Sequence, residues 1–285
     1  MEGWSYNSRI IQILLWNNKG NGMRKFEFVP EGTVDCNVRV WLHETEKAGE
    51  KVYPAVVICP GGGYGHVSER EAEPIARVYY EAGYHTFILN YSVGNKAKGF
   101  KPLCQLAGLI AHVRKYANEW NVNPNQIAAC GFSAGGHLVA SLGTLYKHPK
   151  FLEVFGRDDL VRPDAMILAY PVILADEYAH VGSLEAVSGA ACGSKEYAWF
   201  GLDQYVDTKT PPAYLWHTAE DTCVPVENSL KMAMALSKAK VPFEYHVFPY
   251  GKHGMSCCTE EVGTPSEYNA RWMEWSIRWL EKMFL

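Results

Sequence analysis

The 285-residue chain carries 27 Lys and Arg against 31 Asp and Glu, a formal net charge of −4, and 48% of its residues are hydrophobic. This balance is typical of a globular protein, and a single domain of this length buries a large core without disulfide or metal staples. The small negative charge, with no Lys/Arg cluster, excludes nucleic acid as an expected partner, because such binding needs basic patches facing phosphates.

The N-terminal segment has no basic region leading into a clean apolar run. Its apolar stretch, residues 10–16, is interrupted by Gln12, whereas a membrane-spanning helix needs about 20 apolar residues. Eight cysteines show neither Cys-x-x-Cys nor His/Cys ligand spacing: Cys36, Cys59, Cys104, Cys130, Cys192, Cys223, Cys257 and Cys258. We expect reduced thiols, a cytoplasmic location and no membrane partner. A secreted protein whose leader has been removed is the alternative.

In chain order, the first 50 residues predict antiparallel β-structure, and residues 38–42 alternate after a turn at residues 31–32. After residue 55, buried strands and helices alternate. The predicted strands are 55–59, 86–90, 126–131, 165–169, 213–217 and 243–248, and the predicted helices are 69–82, 103–120, 134–146, 226–240 and 266–284. This alternation predicts one α/β domain over residues 1–285, with a doubly wound, mostly parallel sheet and helices on both faces.

One segment, residues 171–211, interrupts the alternation. It is rich in small residues and then carries an aromatic group, Tyr197, Trp199, Phe200 and Tyr205. A loop of this length in a compact domain is usually functional. It therefore predicts a lid or cap over a site, with a passive surface insertion as the alternative.

A Gly-x-Ser-x-Gly sequence, residues 131–135, lies between a predicted strand and a predicted helix. The tight turn at such a junction, a nucleophile elbow, lifts the serine hydroxyl off the sheet and aims the helix N-terminus at a reacting carbonyl. The motif alone is a weak signal. In this context it predicts that Ser133 is a nucleophile.

A nucleophilic serine needs a base, and the base needs an acceptor that fixes its tautomer. His253 lies in a glycine-flanked loop after the last strand, and Asp221 follows strand 213–217. Sheets of this type build sites at such loops, in the chain order serine, acid, histidine. Glu220 is the neighbouring rival, and helix capping is an alternative role for Asp221. The remaining histidines in predicted strands or helices are expected to be structural: His85, His112, His137, His217 and His246.

Three glycines, residues 61–63, follow the first buried strand. Positions without side chains let backbone N–H groups approach a developing oxyanion. We predict an oxyanion hole formed by Gly62, Gly63 and the N–H of Ala134. A phosphate-binding loop is the alternative, but the lysine of a P-loop and the acidic residue of a dinucleotide site are missing from the pattern.

These loops together resemble those of acetyl xylan esterase-like α/β-hydrolases, which include endoxylanase-associated and feruloyl-type esterases. The resemblance covers roughly residues 35–255, with the elbow, residues 60–71, residues 216–229 and the His253 loop as its specific parts. It implies the α/β-hydrolase fold and a serine carboxylesterase without metal or cofactor. The implied substrates are small acyl esters, led by acetylated sugars or xylo-oligosaccharides. Residues 171–211 and 255–258 depart from the family pattern and would border the substrate pocket.

Tyr64, beside the glycines, and Trp199 are the candidate substrate-binding residues. The aromatic residues Tyr197, Trp199 and Phe200 either stack on a sugar or aryl acid or belong to the core. The alternative functions are a peptidase of the prolyl oligopeptidase type, for which no propeller domain is evident, a short-chain lipase, and a non-catalytic binding module on a hydrolase scaffold. The expected partner is a small-molecule ester, and the oligomeric state, a homo-oligomer included, is left open.

Overall fold

The computed structural model describes residues 14–16, 22–45, 51–156 and 159–285. Within these ranges the strands form one nine-stranded sheet. The strands are β1 (Leu14–Trp16), β2 (Met23–Phe28), β3 (Asn37–His43), β4 (Tyr53–Cys59), β5 (His85–Asn90), β6 (Val122–Phe132), β7 (Ala165–Ala169), β8 (Ala213–Thr218) and β9 (Phe243–Phe248). Most of the predicted apolar run at residues 10–16 and of the connector at residues 44–51 lies outside the described residues.

The strands lie in the order β1-β2-β3-β5-β4-β6-β7-β8-β9. The first three pair antiparallel, and β3 pairs antiparallel with β5, whereas β4 to β9 are parallel. The predicted doubly wound, mostly parallel sheet is confirmed. The chain adds β5 on one side of β4 and β6 on the other. Sheets of this type bind ligands where the strand order reverses, at the carboxyl ends of such neighbours.

Helices cover both faces of the sheet. They are α1 (Glu73–Glu81), α2 (Lys101–Lys115), α3 (Ala134–Leu145), α4 (Pro149–Phe155), α5 (Val181–Ser188), α6 (Lys195–Ala198), α7 (Glu227–Lys238) and α8 (Glu267–Met283). Because side chains alternate across a strand, β4 sends Val57 into a core shared with α2, α3 and α7 and Val56 into a core shared with α1 and α8.

The predicted helix 69–82 is interrupted. A 3₁₀ turn, Glu69–Glu71, ends at Ala72, whose φ of −104° and ψ of −99° lie outside the helical region, and α1 begins after it. Pro74 accounts for the break, because in a continuous helix its ring would clash with the carbonyl of Arg70. That carbonyl instead accepts a hydrogen bond from the Ser256 hydroxyl.

The predicted helix 103–120 ends at Lys115. Residues 116–120 form turns, from which the buried Trp120 ring packs against Phe28 and Phe87. An apolar residue that continues the helical periodicity therefore reaches the core from non-helical backbone. Hydrophobic periodicity alone does not tell whether such an apolar residue belongs to the helix or to the turn that follows it.

Residues 171–211 are more regular than predicted, because they contain α5, α6 and a 3₁₀ turn at Asp203–Tyr205. The segment is tied to the rest of the domain by hydrogen bonds. The side-chain oxygen of Asn228, in α7, accepts the N–H groups of Ile173 and Leu174 at 2.9 Å each. Helix α4 was also absent from the predicted pattern.

None of the helices in the described part of the chain combines the length and the apolar character that crossing a bilayer requires. All eight cysteines carry free thiols, of which Cys192 and Cys223 are exposed.

Candidate active site

Ser133 lies at the junction of β6 and α3 with φ 53° and ψ −117°. Positive φ is strained for a residue with a side chain, and such strain persists only where the surroundings enforce it. The Ser133 N–H donates to the Ala169 carbonyl at 3.0 Å. A Cβ on Gly135 would lie 2.0 Å from the Cys59 carbonyl oxygen, and one on Gly131 would lie 2.2 Å from the Gly135 carbonyl oxygen. The close backbones therefore require both glycines of the motif.

The three predicted catalytic side chains come together. Ser133 Oγ lies 2.8 Å from His253 Nε2, and His253 Nδ1 lies 2.6 Å from Asp221 Oδ2. Burial by itself would raise the pKa of Asp221, but hydrogen bonds from His217 and His253 outweigh it and lower that pKa below its usual range. The carboxylate is therefore ionised and accepts the Nδ1–H, which leaves Nε2 to accept the Ser133 hydroxyl proton.

The second oxygen of Asp221 is held by the backbone. Asp221 Oδ1 accepts the N–H groups of Cys223 and Val224 at 2.9 Å each. The rival acid, Glu220, is exposed and accepts the N–H of Gly251 at 2.8 Å instead of facing the imidazole. Asp221 thus closes a turn with one oxygen and contacts the histidine with the other, while the N-cap of the following helix α7 is Val226.

His217, for which the sequence pattern predicted a structural role, also contacts the acid. Its ring is fully buried, and Nε2 lies 2.9 Å from the Val224 carbonyl and 3.3 Å from Asp221 Oδ2. Both are acceptors, so Nε2 carries a proton, and Nδ1 accepts from the Ser229 hydroxyl at 2.8 Å. The sequence feature that could have indicated this contact is the position of His217 near the end of β8, four residues before Asp221.

The glycine loop lies against Ser133, since a Cβ on Gly61 would approach Ser133 Cβ to 3.0 Å. The N–H groups of Gly62 and Gly63 form no backbone hydrogen bond within the described ranges. Ala134 is the first residue of α3, where helix geometry leaves N–H groups without an intrahelical acceptor. No backbone acceptor in the described part of the chain is therefore assigned to these three amides, and their role as an oxyanion hole stays a prediction.

Tyr64 is buried, with 1% of its surface exposed, and its hydroxyl donates to His137 Nδ1 at 2.8 Å. His137 Nε2 lies 2.9 Å from the Phe200 carbonyl. Burial lowers the pKa of His137 to about 4, so the ring is neutral and donates through Nε2. Tyr64 thus supports a link from the glycine loop through α3 to segment 171–211, and its contact with substrate remains a prediction.

Trp199 lies in an aromatic group that includes none of the three catalytic candidates. Its ring is 5.2 Å from Phe100 and 5.5 Å from both His148 and Tyr205. Of the other aromatic residues singled out in this segment, Tyr197 is 1% and Phe200 9% exposed, which favours the core alternative for those two. A substrate-binding role for Trp199 remains untested.

Tyr170, which the sequence pattern did not single out, follows β7 directly. Its ring meets the His253 imidazole edge-on, with centroids 5.0 Å apart. The sequence feature that could have indicated a role for Tyr170 is its position just past the end of a central strand, where Ser133 also lies.

Among the described residues, no group of three or more His, Cys, Asp or Glu side chains is arranged to hold a metal ion.

Family models match two overlapping parts of the chain. The model described as prolyl oligopeptidase family matches residues 104–284, and a model named BD-FAE matches residues 42–165. A solved structure, the acetyl ester-xyloside bifunctional hydrolase from Caldicellulosiruptor lactoaceticus, is 32% identical and superposes with a TM-score of 0.76 over 96% of each chain. The chain belongs to the prolyl oligopeptidase family of α/β-hydrolases. The predicted resemblance to acetyl xylan esterase-like α/β-hydrolases is confirmed.

Other similar proteins include one named a xylanase and two named esterases. Endo-1,4-beta-xylanase B of Butyrivibrio fibrisolvens is 32% identical over 87% of this chain and 38% of its own length. The acetylxylan esterase of Xylanibacter ruminicola is 30% identical over 80% of this chain and 45% of its own length. The carboxylesterase Cest-2923 from Lactobacillus plantarum is 26% identical, with a TM-score of 0.77 over 96% and 98% of the two chains. The chain thus spans less than half the length of these two curated relatives.

Proposed function

We propose that this α/β-hydrolase is a serine carboxylesterase that removes small acyl groups, with acetylated sugars or xylo-oligosaccharides as its substrates. The observation that carries the proposal is the hydrogen-bonded chain from Asp221 through His253 to Ser133, with separations of 2.6 and 2.8 Å. A serine hydroxyl bonded to a neutral imidazole, itself oriented by a carboxylate, is the arrangement that acyl transfer requires.

In the proposed reaction, Ser133 Oγ attacks the ester carbonyl while His253 Nε2 takes its proton. The negative charge that develops on the carbonyl oxygen is stabilised by the N–H groups of Gly62, Gly63 and Ala134. The alcohol leaves with the proton from His253, and an acyl group remains on the serine. Water then attacks the acyl-enzyme by the same route, while the Asp221 carboxylate stabilises each imidazolium.

The substrate class is supported by the relatives. Two of them carry xylanase or acetylxylan esterase in their names, and the bifunctional hydrolase is named for acetyl ester and xyloside substrates. We also propose that residues 171–211 form a cap. In support, Ser183 Oγ of α5 lies 3.7 Å from where a Cβ on Gly63 would be, so α5 approaches the glycine loop. The pKa of His180, which precedes α5, is lowered by burial and further by the nearby His253.

The decisive experiment compares acetate release from acetylated xylo-oligosaccharides with hydrolysis of p-nitrophenyl esters of increasing acyl length. We expect acetyl esters to have the highest kcat/KM, and a preference for butyryl or hexanoyl esters over acetyl esters would indicate a short-chain lipase instead. Ser133→Ala should lose about 10⁴-fold or more in kcat and all labelling by a fluorophosphonate probe. Turnover close to wild type in that variant would reject Ser133 as the nucleophile, and absence of labelling in the wild type would favour a binding module.

A peptidase is the second candidate, because the prolyl oligopeptidase model covers residues 104–284. A proline-containing p-nitroanilide peptide separates the two functions. We expect its kcat/KM to fall far below that of p-nitrophenyl acetate.

We propose a cytoplasmic location, supported by the exposed free thiols of Cys192 and Cys223. Oxidising compartments convert such thiols to disulfides or higher oxidation states. Cell fractionation followed by thiol labelling tests this location.

A further inference from the structure

Among the described residues, only two acidic side chains are buried, and both lie beside the catalytic candidates. One is Asp221, and the other is Glu71, which is 4% exposed. Glu71 Oε2 accepts the N–H of Gly61 at 2.8 Å, and Glu71 Oε1 accepts the hydroxyl of Tyr170 at 2.6 Å. A buried carboxylate is costly unless its oxygens are hydrogen-bonded. The burial of the Glu71 carboxyl group beside the glycine loop therefore suggests a specific role for it.

Gly61 connects this carboxylate to the nucleophile. A Cβ on Gly61 would lie 2.8 Å from Glu71 Oε2 and 3.0 Å from Ser133 Cβ, so the glycine is held between the two side chains. The Gly61 carbonyl also accepts the N–H of Ser68 at 3.0 Å, which returns the loop to the segment that carries Glu71. Glu71 therefore sets the position of the residue that precedes Gly62 and Gly63.

Tyr170 continues the chain of hydrogen bonds to the other side of the site. Its hydroxyl donates to Glu71 and accepts the N–H of Ser256 at 2.9 Å, while its ring contacts the His253 imidazole edge-on. Burial, with the nearby Glu71 carboxyl, raises the pKa of Tyr170 well above its ordinary value, so the hydroxyl keeps its proton and remains a donor. Its φ of 37° is a strained value that the surroundings maintain.

A second set of contacts holds the same turn. The Ser256 hydroxyl donates to the Arg70 carbonyl that the helix break at Pro74 frees, and the Ser256 carbonyl accepts the Trp272 indole N–H at 2.9 Å. The turn that follows His253 is thus fixed against the segment that carries Glu71. Moving either loop alone would break buried hydrogen bonds.

We propose that Glu71 and Tyr170 are positioning residues that hold the glycine loop and the His253 loop at a fixed distance across Ser133. This inference rests on the proposed function, since it assigns both residues to the reaction of Ser133. In the described part of the chain, neither side chain is hydrogen-bonded to Ser133 or His253, since their hydrogen bonds go to each other, Gly61 and Ser256. Glu71 acts through Gly61 on the amides that stabilise the oxyanion, and Tyr170 acts on the imidazole that takes the proton.

Two variants remove the contact without removing bulk. Tyr170→Phe keeps the ring against His253 but deletes the hydroxyl, and Glu71→Gln keeps the shape but offers one acceptor oxygen to two donors. We expect each to lower kcat for p-nitrophenyl acetate by about 10- to 100-fold, since misplacement by about 1 Å costs about 10²-fold, with KM nearly unchanged. The double variant should lose little more than the worse single variant, because both interrupt the same chain.

Tyr79→Phe is the matched control. Tyr79 is fully buried in the same core, and its hydroxyl lies 2.8 Å from Ser276 Oγ, away from the site. We expect it to lower the unfolding temperature as Tyr170→Phe does, with kcat unchanged. Fluorophosphonate labelling rates, measured well below each unfolding temperature, should fall for Tyr170→Phe and Glu71→Gln but not for the control.

The outcomes separate this inference from the proposed function. If Ser133→Ala is inactive while Tyr170→Phe or Glu71→Gln keeps kcat and labelling rate within about threefold of wild type, the positioning role is overturned and the esterase remains. The same holds if Tyr79→Phe loses as much kcat as the two variants, because the effect is then one of stability. Ester hydrolysis that survives in Ser133→Ala overturns the proposed function itself.

Discussion

Asp221→Asn tests whether the buried acid fixes the tautomer of the imidazole. In the wild type, Asp221 Oδ1 accepts two backbone N–H groups, from Cys223 and Val224 at 2.9 Å, and Oδ2 accepts the His253 Nδ1–H at 2.6 Å. An asparagine has only one oxygen. The two backbone donors hold that oxygen at the Oδ1 position, because an NH₂ group there would leave both of them unpaired. On the Oδ2 side, His253 can change tautomer, and the His217 Nε2–H keeps its 2.9 Å hydrogen bond to the Val224 carbonyl.

The asparagine NH₂ group therefore points at His253 Nδ1. Since NH₂ only donates, Nδ1 must then be the unprotonated nitrogen, and the ring proton moves to Nε2, which faces Ser133. The imidazole in that tautomer cannot accept the serine proton. The fold and the positions of the three side chains stay the same while the base is lost.

We expect Asp221→Asn to lower kcat for p-nitrophenyl acetate by about 10⁴-fold, as the equivalent change does in serine hydrolases with this arrangement, which corresponds to about 5 kcal/mol of barrier. KM should change little. Glu220→Gln is the matched control, because its side chain still accepts the Gly251 N–H and should keep wild-type kcat. A kcat for Asp221→Asn within tenfold of wild type, or an equal loss in Glu220→Gln, would refute the tautomer reasoning.

Two further predictions concern stability. Gly135→Ala would place a methyl group 2.0 Å from the Cys59 carbonyl oxygen, so urea unfolding should show a loss of about 3 kcal/mol or more. Gly65→Ala, where a Cβ meets only the Gly62 carbonyl oxygen at 3.6 Å, should be nearly neutral, and equal stability of both would contradict the close approach. Because burial lowers the pKa of His137 from 6.5 to about 4, the unfolded chain takes up a proton that the folded chain refuses, and stability falls as pH drops through that window, by about 3 kcal/mol from this residue. His137→Asn should reduce this pH dependence in urea titrations, and an unchanged slope would contradict the assignment.

The fold was predictable because its buried strands appear in the sequence as short, continuous apolar runs. A continuous apolar run such as residues 55–59 fits a strand buried on both faces, and β4 has this environment in the structure. Boundaries failed where tertiary contacts overrode periodicity. Trp120 extends the helical pattern but packs from a turn, and Pro74 interrupts a helix whose hydrophobic spacing continues through the break. Helices α5 and α6 were not predicted because they have only eight and four residues, too few for a helical periodicity to stand out.

The residues of the candidate site also fall into those that the sequence predicts and those that only the fold reveals. Ser133, Asp221 and His253 were predictable because each follows a strand in a loop with its own local signal. Glu71 carries no local signal, and Tyr170 has only its position just past the end of a central strand. A carboxylate in a 3₁₀ turn and a tyrosine after a strand are ordinary residues until the sheet brings β4 and β7 to either side of β6. Their partnership spans 99 residues of sequence, and only the fold reveals such a pair.

The two buried acids, Glu71 and Asp221, hold opposite sides of one site. Asp221 orients the imidazole from the β8 side, and Glu71 ties the glycine loop to Tyr170, which supports the imidazole from the β7 side. Each proposed reacting group therefore takes its position from the sheet and its adjoining loops. The start of segment 171–211 shares this role, because the Val172 N–H donates to the Ser133 carbonyl at 3.1 Å. If the rest of the segment is the cap that we propose, substitutions in α5 should change which ester is admitted without altering the geometry that hydrolyses it.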